Sequence, residues 1–286
     1  MSVDVAFIFV GALSLIAMFQ AAGVALFLAR FEDRLRSSSR AIRQLGLWSA
    51  LLGLLLVLVH HGLEAPRMTG DFADLWDRAL QTQVLHSSIG AANATRAAAL
   101  VIIAATLALP GTASVPWSIV GSGLMAAAFL LTGHTTTHSP HWALASLLWA
   151  HLTIVMFWFG ALPSLLLVAR RESSALAGGV VAAFSRIAAW LVPFIAVAGA
   201  GLALLLLPGV EALRQPYGII LLVKSATFIL LMMLAALNKW RLGPRVATGD
   251  TRSLRILRRS VAAEYVLIVG VLVLTAALTT LYSPEP

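Results

Sequence analysis

Residues 1–30 read MSVDVAFIFVGALSLIAMFQAAGVALFLAR, an apolar run in which Asp4 is the only charged residue before Arg30. A run of this length is enough to cross a bilayer as one helix, because about 20 apolar residues span the hydrocarbon core. It is too long for the apolar core of a secretory signal peptide, and no basic residue precedes it. We therefore interpret it as a retained first membrane span.

Similar apolar runs recur along the whole 286-residue chain, which is 60% hydrophobic and 11% charged. A soluble domain carries about 25% charged residues, so this composition predicts a helical protein that crosses the membrane several times. Turn and charge signals give eight predicted spans, at residues 4–29, 44–63, 84–109, 116–132, 142–168, 184–207, 216–238 and 261–281. We predict an all-α, polytopic bundle of eight transmembrane helices that forms a single domain over residues 1–286.

The predicted loops alternate in charge. Fifteen basic residues fall in the first, fifth and seventh loops, whereas the loops on the opposite side hold only Arg67, Arg78 and Arg214. Basic loops stay in the cytoplasm, so the pattern predicts both termini on the opposite, outer side of the membrane, which is the periplasm in a bacterial inner membrane. The formal charge of +8 thus follows from topology, and we predict no nucleic-acid partner.

The predicted periplasmic face is acidic, with Glu64 counted among its carboxylates, and such a face favours cations. Its segment GDFADLWDRALQ (residues 70–81) has apolar residues at helical spacing. This spacing predicts one short amphipathic helix on the membrane surface, with Asp71 as its cap.

All seven histidines lie between residues 60 and 151, and the predicted topology assigns each to the periplasmic side or to a depth reached from it. They are His60, His61, His86, His134, His138, His141 and His151. Imidazole is a common ligand of copper and zinc, and the chain has no cysteine that would supply a thiolate. The one-sided distribution predicts a periplasmic metal site.

Within this set, His134 and His138 are predicted as entry ligands, and His60, His61 or His86 would complete the site. His151 lies about 15 Å along its helix from the periplasmic end, so we predict it as a deeper ligand. Each position also has a plainer interpretation. The pair at 60–61 would cap a helix end, His151 would hydrogen-bond a neighbouring helix, and His141 would anchor the interface.

Other polar or thioether side chains within the predicted spans are further candidates. They are Asn93, Arg96, Lys224, Glu264, Met156 and Met125. Arg96 needs a partner inside the bundle, whereas Lys224 is able to snorkel toward the interface. Glu264, placed just inside the eighth predicted helix, is expected to pair with cytoplasmic arginines.

Three segments resemble the copper resistance D (CopD/PcoD) family. The first has Gly133-His134, then His151, then Trp158-Phe159-Gly160-Ala161-Leu162, with Ala161 where the family has a second glycine. The second carries Tyr217, Gly218, Lys224, Asn238 and Pro244. The third carries Arg259, Ser260 and Glu264, and Arg96 matches an arginine of the family's third span.

This resemblance implies an inner-membrane, non-enzymatic protein that takes copper from the periplasm toward the cytoplasm, and it carries over His134 and His151 by motif. The ligands fit Cu(I) or Cu(II), and zinc also suits them. A periplasmic copper-binding protein is a further expected partner. Two alternatives stay open: a haem-b or quinone-linked electron-transfer protein, and a copper chaperone or assembly factor that does not transport.

Overall fold

The computed structural model describes residues 2–109, 114–132, 141–206, 211 and 214–281. All regular structure within these ranges is helical, which confirms the predicted all-α class. The α-helices are α1 (Val3–Phe31), α2 (Ser39–Gly62), α3 (Glu64–Thr69), α4 (Arg78–Leu85), α5 (Ser88–Ala108), α6 (Ser114–Ala128), α7 (His141–Arg171), α8 (Ser174–Leu206), α9 (Pro216–Leu237), α10 (Gly243–Ala247) and α11 (Thr251–Leu281).

Seven helices of the described residues are long and apolar enough to cross a membrane: α1, α2, α5, α7, α8, α9 and α11. Each coincides with a predicted span. The remaining predicted span, at residues 116–132, overlaps α6, which has 15 residues. A helix of that length rises about 22 Å, less than the roughly 30 Å of a hydrocarbon core. The structure therefore gives seven candidate spans, and an eighth crossing stays a prediction.

One end of the bundle, named here the histidine end, contains His60 and His61 together with α3 and α4. The side chain of Gln81 in α4 donates to the carbonyl of Gly62 at 3.0 Å. The guanidinium of Arg67 lies over the ring of Phe7, 4.8 Å from its centroid. The start of α1 and the end of α2 therefore meet beneath the short helices.

The prediction of one continuous amphipathic helix over residues 70–81 is wrong. The segment forms a 3₁₀-helix at Phe72–Trp76, and α4 begins afterwards at Arg78. Asp77 separates them because its backbone is extended and its carboxylate accepts hydrogen bonds from the first turn of α4. Asp71 caps the 3₁₀-helix, as predicted.

The opposite end, named here the arginine end, brings the basic loops together. Glu172, between α7 and α8, accepts hydrogen bonds from the backbone amides of residues 36–38 at 2.8–3.0 Å and from the Ser38 hydroxyl at 2.6 Å. Desolvation alone would raise the pKa of the Glu172 carboxyl, but these hydrogen bonds lower it. Arg258 of α11 donates to the carbonyl of Ala169 in α7. The first, fifth and seventh loops are thus neighbours.

Helices α1 and α7 pack at backbone distance where Gly23 faces Gly160. A Cβ atom built on Gly160 would lie 2.3 Å from the backbone of Gly23, so only glycine fits. Small residues allow membrane helices to approach at backbone distance. By contrast, α8 and α9 expose large apolar side chains such as Trp190, Phe194 and Ile229, as expected for helices that face lipid.

The last helix begins earlier than predicted. Predicted at residue 261, it starts at Thr251, where Asp250 accepts hydrogen bonds from the Arg252 amide at 2.9 Å and the Ser253 hydroxyl at 2.6 Å. Glu264 therefore lies about 20 Å along the helix axis from its start.

Candidate metal-entry site

His60 packs at the histidine end against the first turns of α1. Its ring lies 4.0 Å from the ring of Phe7 at an interplanar angle of 40°. Gly11 makes room for it, since a Cβ atom there would stand 3.1 Å from the Nε2 atom of His60. The imidazole is partly buried and is held by packing against α1.

His61 is oriented by a polar chain that begins at Arg96. Arg96 donates to the Oδ1 atom of Asn93 at 2.7 Å, and the Nδ2 atom of Asn93 lies 3.3 Å from the Nδ1 atom of His61. Arginine only donates, so the Asn93 oxygen must face it and the amide nitrogen must face His61. The Nδ1 atom of His61 is therefore the acceptor, and its neutral ring carries the proton on Nε2.

Arg96 has the intramembrane partners that its position demands. Besides Asn93, its guanidinium lies 4.6 Å from the ring centroid of Phe129. Glu64 interacts with it electrostatically and forms an ion pair with Arg67 at 3.5 Å. Glu64 is only 5% exposed, so it belongs to this internal cluster and not to the outer acidic face, where it was counted.

The positive charge of this cluster weakens the binding of a metal ion by His60 and His61 alone. Two arginines, Arg67 and Arg96, stand near His60 with Glu64 as the nearby carboxylate. A copper ion at the two histidines would meet this positive field. Further ligands are therefore needed to hold it there.

The other predicted entry ligands are placed differently. His86 is exposed and ends α4; it does not open the third span, because the Ser87 side chain caps the amides of Ile89 and Gly90 and starts α5 there. His141 is the exposed first residue of α7. His134 and His138 lie outside the described residues.

His151 faces α8 and α9 within the bundle. Its ring approaches the backbone carbonyl of Ile195, and a Cβ atom on Gly199 would lie 3.8 Å from its Cε1 atom. Its Nδ1 atom is buried without a well-formed hydrogen bond. Lys224 of α9 is close enough to interact with it electrostatically. Lys224 therefore points inward toward His151.

Met156 and Met125 are fully buried. Met156 lies five residues beyond His151, which places it about 140° around the helix. Its backbone carbonyl faces Gly23 of α1, whereas His151 faces α8. The structure thus assigns Met156 to the α1–α7 interface and does not bring it together with His151.

Three residues from the three family-like segments meet near the arginine end. Asn238 donates from its Nδ2 atom to the Oε1 atom of Glu264 at 2.5 Å, and Trp158 is a second donor to the same carboxyl. Glu264 does not pair with an arginine within the described residues, which corrects that expectation. Asn238 also begins a π-helix, Asn238–Leu242. Nothing in the separate motifs indicated that these side chains would touch.

Within the described ranges, no group of three or more His, Asp or Glu side chains is close enough to hold a metal ion. His60 and His61 form one imidazole pair at the histidine end, and His151 is a separate deeper imidazole. The arrangement offers one or two neutral nitrogen ligands at each level, and a complete site requires donors from elsewhere.

Two family models and one relative match the chain. The model "Copper resistance protein D-like, N-terminal domain" matches residues 1–140, and the model "Copper resistance protein D" matches residues 178–278. The protein named "Copper resistance protein D" from Pseudomonas syringae pv. tomato is 32% identical over 294 aligned positions, which cover 95% of this chain and 93% of that protein.

The chain belongs to the copper resistance protein D family. The resemblance seen in the sequence is thereby confirmed, and membership gives the protein a role in copper resistance or homeostasis. No solved structure matches the chain. Of the two matched regions, the N-terminal one contains the cluster around His60, and the C-terminal one contains Lys224, Asn238 and Glu264.

Some residues of the histidine end were missed as site residues from the sequence. Phe7 and Arg67 surround His60, yet each occurs in the sequence as an unremarkable apolar or interfacial residue. Only Glu64 gave a usable signal, because a carboxylate three or four residues after two span-ending histidines lies within one helical turn of them.

Proposed function

We propose that this copper resistance D family member is an inner-membrane protein that captures copper at its periplasmic face and imports it toward the cytoplasm. The proposal takes the single domain of residues 1–286 to cross the membrane eight times, with both termini periplasmic. The histidine end then faces the periplasm and the arginine end the cytoplasm, in keeping with the positive-inside rule.

The observation that carries the proposal is the order of imidazoles along the bundle. His60 and His61 stand at the histidine end, and His151 lies deeper with a buried Nδ1 atom that has no well-formed hydrogen bond. An imidazole nitrogen without a hydrogen-bond partner is able to bind copper. The bundle thus places His60 and His61 where copper would enter and His151 at a deeper level along the same route.

The entrance needs more donors than the described residues provide. We propose that His134 and His138 bind the incoming ion and that His60 supplies a further ligand. His61 is less available, because its Nδ1 atom is engaged by Asn93. His86, exposed in the turn before α5, would bind only if the loop of residues 133–140 approaches it.

Copper binding tests the entrance directly. The double variant His134→Ala plus His138→Ala should lower the affinity for copper, measured by calorimetry in detergent, by more than about tenfold. Loss of groups that merely support a ligand already costs about 10–100-fold. His141→Ala is the matched control, since it removes an exposed histidine at the same end and should leave the affinity unchanged. An unaltered affinity in the double variant would refute the entry site.

Copper uptake measurements distinguish import of copper from its presentation to a partner protein. Purified protein in proteoliposomes should accumulate copper, and His151→Ala should slow uptake while leaving binding at the entrance intact. Tight binding without any uptake would instead support a chaperone that presents copper to a periplasmic protein. A Soret band in the purified protein would favour the haem-b alternative.

A further inference from the structure

A cavity of about 470 Å³ lies between α7, α8, α9 and α11, toward the arginine end. Its walls are mostly apolar, and its polar lining includes Glu264, Asn238 and Trp158 together with Ser185, Lys239 and Arg258. Glu264 is 3% exposed and Asn238 is 8% exposed, so neither is an ordinary surface group. Buried ionisable residues in membrane helices mark functional sites.

The pairing of the two side chains is incomplete. Asn238 donates to the Oε1 atom of Glu264, yet its own Oδ1 atom is buried and accepts no hydrogen bond. A primary amide and a carboxylic acid pair through two hydrogen bonds, one from the amide N–H and one from the acid O–H. A proton on the Oε2 atom of Glu264 would supply the donor that the Oδ1 atom lacks.

Two cationic side chains line the cavity that contains Glu264, but neither forms an ion pair with it. Lys239 and Arg258 border the same cavity, and Arg258 donates to the Ala169 carbonyl. No ion pair reaches Glu264 among the described residues. The neighbouring helices α1 and α7 carry charged side chains only at their ends, while Tyr265 stacks on Phe159 and His151 faces α8.

From this geometry we propose that Glu264 is a proton-binding site that exchanges its proton with water in the cavity. The proton enters on the Oε2 atom and is shared with the Oδ1 atom of Asn238, while the amide N–H of Asn238 donates to the Oε1 atom. On release the proton passes to cavity water and leaves a carboxylate. The π-helix that begins at Asn238 positions the amide, and such irregular turns recur at functional sites.

A carboxylate formed next to the route of a copper ion would couple the movement of the proton to that of copper. This coupling rests on the proposed import of copper. No nucleotide-binding motif occurs in the chain, so coupling to proton movement offers a driving force for copper movement that the sequence alone did not supply. The proton site itself does not depend on transport, and the two are tested separately.

Infrared difference spectroscopy of the protein in nanodiscs tests the proton site without any copper. A pH jump should reveal a carboxylic acid C=O band that shifts in D₂O, because the cavity gives water access to the proton. Glu264→Gln, which keeps the shape of the side chain, should abolish the band. Glu172→Gln is the matched control and should retain it, since the Glu172 carboxylate already accepts four hydrogen bonds.

Asn238→Leu tests the amide partnership and should move the acid band to higher frequency, because both hydrogen bonds to the amide are lost. A wild-type spectrum identical to that of Glu264→Gln would overturn the proposal. So would a band that responds to sodium at constant pH, since Glu264 would then bind a metal cation. Asn238→Leu should shift only the band of Glu264, so it keeps the assignment testable if Glu264→Gln fails to fold.

Copper uptake into proteoliposomes tests the coupling. For one coupled proton, a pH difference of one unit changes the limiting ratio of copper inside to copper outside the vesicles about tenfold. The wild type should show this dependence and Glu264→Gln should lose it. A full response in Glu264→Gln would refute coupling at this residue. Absence of all uptake would refute the proposed function and leave the infrared result standing.

Discussion

Replacing Gly160 by alanine would place a methyl group inside the backbone of α1. A Cβ atom at this position would lie 2.3 Å from the carbonyl carbon and 2.4 Å from the amide nitrogen that join Gly23 and Val24. Ordinary contact begins near 3.4 Å, so the two helices must separate locally by about 1 Å. No side-chain rotation relieves the clash, because the opposing atoms are backbone.

The expected cost follows from this geometry. Overpacking a well-packed core costs about 1–3 kcal/mol, and a clash with backbone belongs at the upper end of that range. The gain in helix propensity from glycine to alanine returns about 0.5–1 kcal/mol. We therefore expect Gly160→Ala to lower the free energy of unfolding by about 2 kcal/mol.

Thermal unfolding in detergent, followed by circular dichroism, measures the effect. Gly270→Ala in α11 is the matched control, because a Cβ atom there meets no atom within 4 Å. The control should unfold at or slightly above the wild-type temperature, while Gly160→Ala should unfold several degrees lower. Equal unfolding temperatures for the two variants would refute the close packing of α1 against α7.

Two further predictions concern the ends of the bundle. Glu172→Ala should destabilise the protein by about 1–2 kcal/mol, because the Glu172 carboxylate accepts four hydrogen bonds that hold residues 36–38 just before α2. Its pKa is lowered in the folded state, so this stabilisation is present above the unfolded carboxyl pKa and is lost as the pH falls through the folded one. Unfolding temperatures of wild type and variant should therefore converge at acid pH, and a constant difference would contradict the role of these hydrogen bonds. Gly11→Ala should displace the His60 ring by a few tenths of an ångström and shift its imidazole ¹⁵N resonances. The ¹⁵N resonances of His86 should stay fixed. Unchanged His60 resonances would show that Gly11 does not position the His60 ring.

Much of the fold was predictable from hydropathy, since seven of the predicted spans correspond to long apolar helices of the described residues. Helix boundaries were less predictable where polar caps decide them. Asp77 divides one predicted helix into two, and Asp250 starts α11 ten residues before the apolar run. Capping depends on local backbone geometry, which a hydropathy pattern does not contain.

The candidate site was predictable in its residue types but not in its contacts. Arg96 was expected to need a partner, and local spacing allowed Asn93. The contact of Arg96 with the Phe129 ring, however, depends on how α5 packs against α6. Glu264 was assigned to the cytoplasmic arginines because they are abundant nearby in sequence, whereas packing gives it Asn238 and Trp158.

The sequence by itself determined that the chain forms membrane helices with its basic loops on one side. The reason is that backbone polar groups in lipid must bond within their own helix, so apolar length and loop charge suffice. The tertiary structure alone decided which polar side chains meet. Asn238 and Glu264 are 26 residues apart, and the unpaired Oδ1 atom beside that carboxyl exists only because α9 and α11 pack side by side.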